Sequence, residues 1–345
     1  MSGRGDHEDS RREISTGRRE FAAAAGTALL AAATGATALG RRPPPISAGD
    51  PREAQRYERE RKYAHTRYGR IAYVERGQGP AVLLLHGFPL NAFQWRGVIP
   101  RLCAQRRCVA PDFMGLGFSE VPKEQGVSLG AQADMLAAFL DGRGIRHVDI
   151  IANDSGGAVA QLFIARHAAR ARSLLLTNCD VETDSPPESV LPIIELARRG
   201  QYTEQYLRPW LKDKGGLRAS AAFGRLCYSD PRHPTDAAID QYLGPLVSSA
   251  ERSALTNRFA ASLAPNPLAG ITASLRSCAV PTRIVWGMKD RIFSPGNIEY
   301  LVSVLPRVTG IRRIEDAKLF FPEERPEVIA EEARALWKEA AQAAA

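Results

Sequence analysis

The sequence predicts an α/β protein in which helices flank a mostly parallel sheet and a helical cap follows the sixth strand. Short apolar runs, typical of buried strands, alternate with helical segments from about residue 61 onward. This alternation stops between residues 182 and 269, where helical stretches occur without a convincing strand, and it resumes near Ile284. The expected cap lies over the carboxyl ends of the strands, where such sheets bind ligands.

The composition is that of an ordinary soluble protein. The chain has 345 residues, of which 44% are hydrophobic and 24% charged, so a core can form without disulfide or metal staples. The net charge of +8 is concentrated at the start, where the first 70 residues hold 14 Lys and Arg against 9 Asp and Glu. No basic stripe with interleaved aromatic residues occurs, so we expect no nucleic-acid partner.

The five cysteines are an odd number and do not form a disulfide framework. Cys103 and Cys108 either pair in an oxidising compartment or remain two separate thiols at a helix end and a strand start. No cluster of His and Cys has the spacing of a metal site, and no organic cofactor is implied.

The first 40 residues resemble an export signal of the twin-arginine type. Arg18 and Arg19 stand directly before an uncharged stretch, residues 21–39, and small residues at 36–38 suit a cleavage site. An uncleaved membrane anchor is the alternative, but the stretch is rich in Ala, Gly and Thr, which enter lipid poorly. We therefore expect the export machinery as a partner and a periplasmic or extracellular location. Residues 41–60 are predicted to be a Pro-rich, charged linker.

The folded part is predicted to consist of a core, residues 61–181 and 270–345, and a cap, residues 182–269. A hairpin opens the core, because Gly69 separates two strand-like runs. A continuous apolar run at Ala81–Leu85 predicts a buried parallel strand. Further short strands are predicted at Cys108–Pro111, Val148–Ala152, Ser173–Thr177, Ile284–Trp286 and Ile311–Ile314. Helical spacing predicts helices at Ala92–Ala104, Leu129–Leu140, Gly156–His167, Asn297–Leu305 and Glu327–Ala340.

The turn after the fifth strand carries the most informative motif. The run Ala152-Asn153-Asp154-Ser155-Gly156-Gly157 has the pattern of a nucleophile elbow, in which small residues flank a strained strand-to-helix turn. Placing Asp154 at the apex gives Ala152 and Gly156 as the small neighbours. Placing Ser155 there puts the larger Asn153 before it, so Asp154 is favoured.

Further motifs complete the pattern. His86-Gly87-Phe88-Pro89 has the form of a loop whose amide completes an oxyanion hole. Residues 112–119 form a glycine-rich turn after the fourth strand, and Asp290 follows the seventh. Together these motifs resemble the α/β-hydrolase fold superfamily over most of the chain. The aspartate at the apex is similar to the branch of haloalkane dehalogenases and soluble epoxide hydrolases.

The resemblance implies a mechanism and residue roles. The Asp154 carboxylate would form an ester with a substrate carbon, the amides of Phe88 and Ser155 would form the oxyanion hole, and Asp290 would be the second acid. Asp180 is an alternative second acid, with a weaker motif. Haloalkane dehalogenases usually have tryptophan where this chain has Ser155, which weakens the likeness to that activity.

The largest departure concerns the triad histidine. Aligning the last loop puts Leu319 at the position of that histidine, and no histidine follows His233. A leucine cannot deprotonate the water that hydrolyses the ester. Glu323, Glu324 or His86 could substitute as the base. We favour structural roles for them instead, with the two glutamates facing solvent and His86 orienting its loop.

Aromatic residues supply candidates for the pocket. Tyr202 and Tyr206 lie at i, i+4 spacing in the cap, where they would either donate a proton to a substrate oxygen or pack the cap on the core. Trp95 would line an apolar pocket or fill the core. The remaining histidines, apart from His7 near the N-terminus, are expected at the surface or at strand edges: His65, His147, His167 and His233.

Three functions remain open from the sequence. The first is a hydrolase that acts on a small apolar epoxide, halide or ester through Asp154. The second is a lyase, isomerase or cyclase that uses carboxylate acid–base chemistry, and the third is a small-molecule-binding protein on a hydrolase scaffold. A missing histidine favours the second and third, whereas an intact apex with its oxyanion loop favours the first two.

Overall fold

A computed structural model describes residues 51–342 and places eight strands in one sheet with the order β1-β2-β4-β3-β5-β6-β7-β8. The strands are β1 Lys62–Thr66, β2 Gly69–Arg76, β3 Ala81–Leu85, β4 Arg107–Pro111, β5 Val148–Ala152, β6 Ala171–Thr177, β7 Thr282–Gly287 and β8 Val308–Ile314. Strand β2 pairs antiparallel with β1 and β4, and the other pairs are parallel. The carboxyl ends of β3 to β8 therefore meet at one edge, as the predicted fold class requires.

Helices cover the sheet. Those outside the segment between β6 and β7 are α1 Pro51–Glu60, α2 Ile99–Leu102, α3 Leu129–Gly142, α4 Ser155–His167, α12 Gly296–Val304, α13 Phe321–Glu324 and α14 Pro326–Gln342. Helix α3 packs on α4, and α14 packs on β6, β7 and β8. Every residue of β3 and β5 is buried, including Asp149 of β5, which forms an ion pair with Arg172. Burial on both faces of the sheet explains the unbroken apolar run of β3. Within residues 51–342, no helix is both long and apolar enough to cross a membrane.

The segment between β6 and β7 is helical, as predicted. Its helices are α5 Leu191–Arg198, α6 Arg208–Lys212, α7 Lys214–Ala219, α8 Gly224–Cys227, α9 Asp236–Leu243, α10 Ala250–Ala261 and α11 Thr272–Arg276. A π-helical turn, Thr203–Leu207, precedes α6. Arg252 of α10 donates hydrogen bonds to the carbonyl oxygens of Gly117 and Ser119, which join this segment to the turn after β4.

The structure differs from the predicted linker over residues 51–60, which form helix α1. Tyr57 is 4% exposed, packs edge-on against Phe93 with ring centroids 5.0 Å apart, and donates a hydrogen bond to the Ala92 carbonyl. The charged composition suggested a solvated linker. In the structure, charged residues of this helix instead form ion pairs with the core, such as the pair between Glu60 and Arg76. Residues 1–50, which include the predicted signal and the rest of the linker, lie outside the described residues.

The predicted helix over residues 92–104 is also interrupted. It consists of a 3₁₀ turn, Ala92–Arg96, followed by α2. Pro100 explains the break, because its ring clashes with the carbonyl four residues earlier and its nitrogen donates no hydrogen bond. Cys103 and Cys108, which flank the end of this region, are both free thiols, so the predicted alternative of a disulfide is wrong.

Candidate active site

The elbow between β5 and α4 holds Asp154 in a strained conformation. Asp154 has φ 57° and ψ −135°, and it is the one non-glycine residue with positive φ in the described part of the chain. Ser155 is already the first residue of α4. The strain therefore lies at Asp154 and points to a functional position, as backbone outliers of this kind often do.

The Asp154 carboxylate receives hydrogen bonds from two backbone amides. The Ser155 amide donates to Oδ1 at 2.6 Å, and the Phe88 amide donates to Oδ2 at 3.1 Å. The loop after β3 passes close to this carboxylate at Gly87, where a Cβ atom would lie 2.6 Å from Asp154 Oδ2. These two donors are the pair that the sequence predicts for an oxyanion hole.

An apolar pocket opens in front of this carboxylate. The space between its lining atoms, part of which is open to solvent, is about 640 Å³. Aromatic rings from the core and the cap form much of the wall, and they come from Phe88, Tyr202, Trp210, Phe223, Phe293 and Phe320. The titratable residues on the wall are Asp154, Asp180, Tyr202 and Cys227, and no described His, Lys or Arg lines it. Such a pocket suits a small, largely apolar ligand.

Three buried aspartates crowd this end of the sheet without a cation among the pocket-lining residues. Burial raises the pKa of Asp154 well above its usual range, and the charges of Asp180 and Asp290 raise that pKa further. Burial also raises the pKa of Asp180 to about 7 and that of Asp290 to about 6. The site therefore holds protons at pH values where exposed carboxyls have lost them.

The two candidates for the second acid differ in position. Asp180 lies on the pocket wall, whereas Asp290 is not among the pocket-lining residues. Asp290 instead accepts hydrogen bonds from the Asn178 side chain at 2.8 Å and from the Ile292 amide at 2.8 Å. Both acids are buried.

Leu319, the residue predicted to stand in place of the triad histidine, lies in the segment between β8 and α13. It is 2% exposed and lines the pocket beside Asp154. His86 is also buried, but its Nδ1 lies 2.9 Å from the Gly87 carbonyl and its Nε2 accepts the Phe113 amide at 3.0 Å. Burial lowers the pKa of His86 to about 4. His86 thus links the loop after β3 to the turn after β4, and it does not line the pocket.

Comparison with known families agrees with this arrangement. A family model described as the alpha/beta hydrolase fold matches residues 80–324. The chain belongs to the α/β-hydrolase fold family. This match spans most of the sheet and the whole cap, so the predicted resemblance to the α/β-hydrolase fold superfamily is confirmed.

Individual relatives have several activities. This chain is 29% identical to haloalkane dehalogenase 2 of Mycobacterium tuberculosis over 289 residues, which cover 81% of this chain and 95% of that protein. It is 28% identical over 238 residues to a cis-3-alkyl-4-alkyloxetan-2-one decarboxylase of Shewanella oneidensis, covering 65% and 71% of the two chains. The epoxide hydrolase CorEH superposes with a TM-score of 0.67 at 23% identity, covering 81% and 98%, which shows the shared fold alone.

The aromatic candidates separate into two groups. Tyr202 is 1% exposed and lines the pocket. Tyr206 contacts Tyr202, with ring centroids 6.0 Å apart, but it is not among the pocket-lining residues. Trp95 is fully buried away from the pocket and belongs to the core.

The prediction that Glu323 faces solvent is wrong. Its side chain is 0% exposed, forms an ion pair with Arg96, and accepts hydrogen bonds from Tyr228 at 2.5 Å and Tyr242 at 2.8 Å. Glu324 is half-buried and accepts the backbone amide of Asp230 at 2.6 Å. Neither glutamate lines the pocket, so neither lies where a substitute base is needed.

Amides that the sequence analysis did not single out position the site. The Asn153 side chain donates to the Leu319 carbonyl at 3.1 Å and accepts from Gln94 at 2.7 Å, and Gln94 accepts the Gly87 amide at 2.9 Å. Asn178 donates to the Gly287 carbonyl at 3.0 Å and accepts the Gly287 amide at 2.7 Å, at the end of β7 just before Asp290. The sequence signal for Asn153 and Asn178 is weak, since each is only a polar residue after a buried strand, and Gln94 lies in a 3₁₀ turn with no signal of its own.

Substituting Gly156 with alanine is expected to distort the elbow. The new Cβ would lie 2.5 Å from the Leu85 carbonyl oxygen and 2.6 Å from that of His86, so backbone must move. We expect a loss of about 1–3 kcal/mol of stability, as for other overpacked sites, together with a loss of activity. Gly142→Ala is the control, because nothing lies within 4 Å of its Cβ position at the end of α3. Equal denaturation midpoints for the two variants would contradict the expectation.

Stability should fall as pH rises, because the buried acids bind protons more tightly when folded. For Asp180 the pKa rises from 3.8 to about 7 on folding. Between these two pH values the folded chain binds more protons than the unfolded chain, so the free energy of unfolding decreases as the pH rises. Asp180→Asn removes this contribution and should lessen the fall measured by urea denaturation between about pH 4 and about pH 8. Asp141→Asn, at an exposed position, controls for loss of negative charge and should retain the full slope.

Proposed function

We propose that this α/β-hydrolase is an exported hydrolase that cleaves a small, largely apolar epoxide, halide or ester through Asp154. The observation that carries the proposal is a buried carboxylate, on a strained elbow, that two amides contact at the floor of an apolar pocket. The similarity to haloalkane dehalogenase 2 supports a hydrolase on this fold.

The first step uses Asp154 as the nucleophile. For a halide or an epoxide, one carboxylate oxygen bonds to the electrophilic carbon, and the bond from that carbon to the halogen or the ring oxygen breaks with its electron pair. The halogen leaves as a halide ion, whereas the ring oxygen stays on the esterified group as an alkoxide and takes a proton from solvent. The product of this step is an ester of Asp154. Because the pocket is apolar, an apolar substrate that enters it displaces water from the Asp154 carboxylate before the attack. The amides of Phe88 and Ser155 then remain as the hydrogen-bond donors to that carboxylate.

The second step hydrolyses the ester. Water attacks the Asp154 carbonyl carbon, and negative charge develops on the carboxyl oxygen that did not bond to the substrate. The Ser155 amide donates to Oδ1 at 2.6 Å and the Phe88 amide to Oδ2 at 3.1 Å, so either oxygen has an amide donor for that charge. This water must lose a proton, and Leu319 cannot accept one. We therefore expect hydrolysis of the ester to be slower than its formation, so that the ester accumulates.

Intact-protein mass spectrometry after rapid quenching tests the proposal. The full chain is mixed with a panel of haloalkanes, epoxides and activated esters, beside Asp154→Asn. The expected result is an early adduct with the mass of the alkyl or acyl group, which decays as product forms and is absent from the variant. Turnover without any adduct would contradict the ester mechanism. The lack of both would favour a binding protein on a hydrolase scaffold.

A second candidate is a lyase, isomerase or cyclase that uses carboxyl groups as acids and bases. The raised pKa of Asp154 favours it, because a protonated carboxyl is a poor nucleophile but a competent acid. The relative named as an oxetanone decarboxylase also favours it. Turnover that depends on Asp154 and never shows an adduct would support this candidate.

The export proposal concerns residues 1–40. Arg18 and Arg19 before an uncharged stretch support a twin-arginine route, which carries folded proteins. Expression of the full chain in a host that has this route, followed by cell fractionation, tests it. The expected result is export of the wild-type chain and retention of a variant in which both arginines are lysine. Equal export of the two would contradict a twin-arginine signal.

A further inference from the structure

Asp180 is the second carboxyl group on the pocket wall, and one of its two carboxylate oxygens is free to accept a further hydrogen bond. It follows β6, is 6% exposed, and lines the pocket together with Asp154. Its Oδ1 accepts a hydrogen bond from the Ser185 hydroxyl at 2.8 Å, and Gln161 fixes its backbone by donating to its carbonyl at 2.7 Å. Its Oδ2 receives no side-chain or backbone hydrogen bond from another described residue.

The other titratable groups on this wall are poorly suited to accept a proton. Burial raises the pKa of both Tyr202 and Cys227, so each keeps its proton at neutral pH. Asp154 is consumed as the ester. Leu319 has no acceptor, and Asp290 is not among the lining residues. Among the described residues of the pocket, Asp180 is the carboxylate that remains.

We propose that Asp180 is the general base that activates the hydrolytic water, in the role that Leu319 leaves without an acceptor. This inference rests on the ester mechanism proposed above. As water oxygen bonds to the Asp154 carbonyl carbon, one water proton passes to the Asp180 carboxylate. The tetrahedral oxyanion then collapses and expels the substrate alkoxide, which takes that proton from Asp180 and leaves as the alcohol. Asp154 is left as a protonated carboxyl group and loses its remaining proton to solvent, so both groups regain their starting carboxylate states.

The electrostatics of Asp180 suit this role. Burial and the charge of Asp184 raise its pKa to about 7, while the Ser185 hydrogen bond opposes the rise. A base whose pKa lies near the operating pH is the most effective. Asp154 loses its charge on esterification, and this removes a like-charge repulsion between the two aspartates at the moment when Asp180 must be ionised.

Transient kinetics of Asp180→Asn test the inference with a haloalkane or epoxide that labels the wild-type protein. We expect the adduct to form at nearly the wild-type rate and to decay about 10²–10⁴-fold more slowly, the usual effect of losing a general base. Adduct decay at the wild-type rate in the variant would overturn the role of Asp180 and leave the ester mechanism intact. Turnover with no adduct in either the wild type or Asp180→Asn would overturn the ester mechanism and this inference with it.

Substitutions of two residues that neighbour Asp180 distinguish a role as the base from a structural role. Ser185→Ala removes a hydrogen bond that favours ionised Asp180, so the pH midpoint for adduct decay should rise by about one unit. Asp184→Asn removes a like charge, so the same midpoint should fall. A midpoint that moves in neither variant would overturn the assignment, because a structural role for Asp180 predicts no opposite pair of shifts.

Discussion

Replacing Asp154 with asparagine is expected to reduce kcat/KM by roughly 10⁴–10⁶-fold, the range seen when a nucleophile that acts as part of a unit is removed. Asparagine keeps the shape of the side chain and is one of the residues that tolerate positive φ. Its carboxamide oxygen can still accept an amide hydrogen bond. The fold should therefore survive, and the loss would measure chemistry rather than unfolding.

Ser155→Ala is the matched control for that substitution, because Ser155 is the other residue that the elbow motif allows as a nucleophile. Its hydroxyl has no hydrogen-bond partner in the described chain, and its backbone amide, which contacts Asp154, stays in place. We expect a far smaller loss of activity. The opposite pattern in steady-state assays, with Ser155→Ala inactive and Asp154→Asn active, would refute Asp154 as the nucleophile.

Glu323→Ala is expected to lower the free energy of unfolding by about 3–5 kcal/mol, the usual result of removing one partner of a buried ion pair. The substitution leaves Arg96, which is 9% exposed, with Glu53 as its remaining ion-pair partner, and it deprives Tyr228 and Tyr242 of their acceptor. These contacts join the turn after β3, the cap and α13. Denaturant unfolding monitored by circular dichroism measures the effect.

Glu331→Ala provides the control, because Glu331 also pairs with an arginine but at the surface. It lies 2.9 Å from Arg312, with 57% of its side chain exposed. An exposed pair of this kind contributes about 0–1 kcal/mol. If Glu323→Ala were no more destabilising than Glu331→Ala, the buried network would not hold the cap to the core as we infer.

The sequence predicts the features that depend on neighbouring residues. The apolar run of β3 and the elbow at Asp154 are local patterns, and the structure has them at the predicted positions. The helical segment after β6 was also predictable, because a long stretch of helical spacing that interrupts a strand series indicates a helical insertion between two strands of one sheet.

Features that depend on distant residues were missed. Glu323 is buried by partners that lie 81 to 227 positions away in the chain, so its acidic neighbourhood suggested a surface residue. Helix α1 seemed a linker for the same reason, since its stability comes from contacts with Ala92, Phe93 and Arg76. The motif around Asp180 did not predict that this residue, rather than Asp290, lines the pocket, because the pocket wall forms only when the cap packs on the core.

Isotope labelling tests the central role of Asp154 most directly. The protein turns over a haloalkane or an epoxide several times in water enriched in ¹⁸O, and the tryptic peptide from His147 to Arg166 is then sequenced by mass spectrometry. This peptide contains Asp154 and also Asp149, which serves as an internal control. The ester mechanism predicts heavy oxygen in the Asp154 carboxyl and none in Asp149, because water attacks the Asp154 carbonyl carbon. Heavy oxygen in the product alone would contradict that mechanism and show that water attacks the substrate itself.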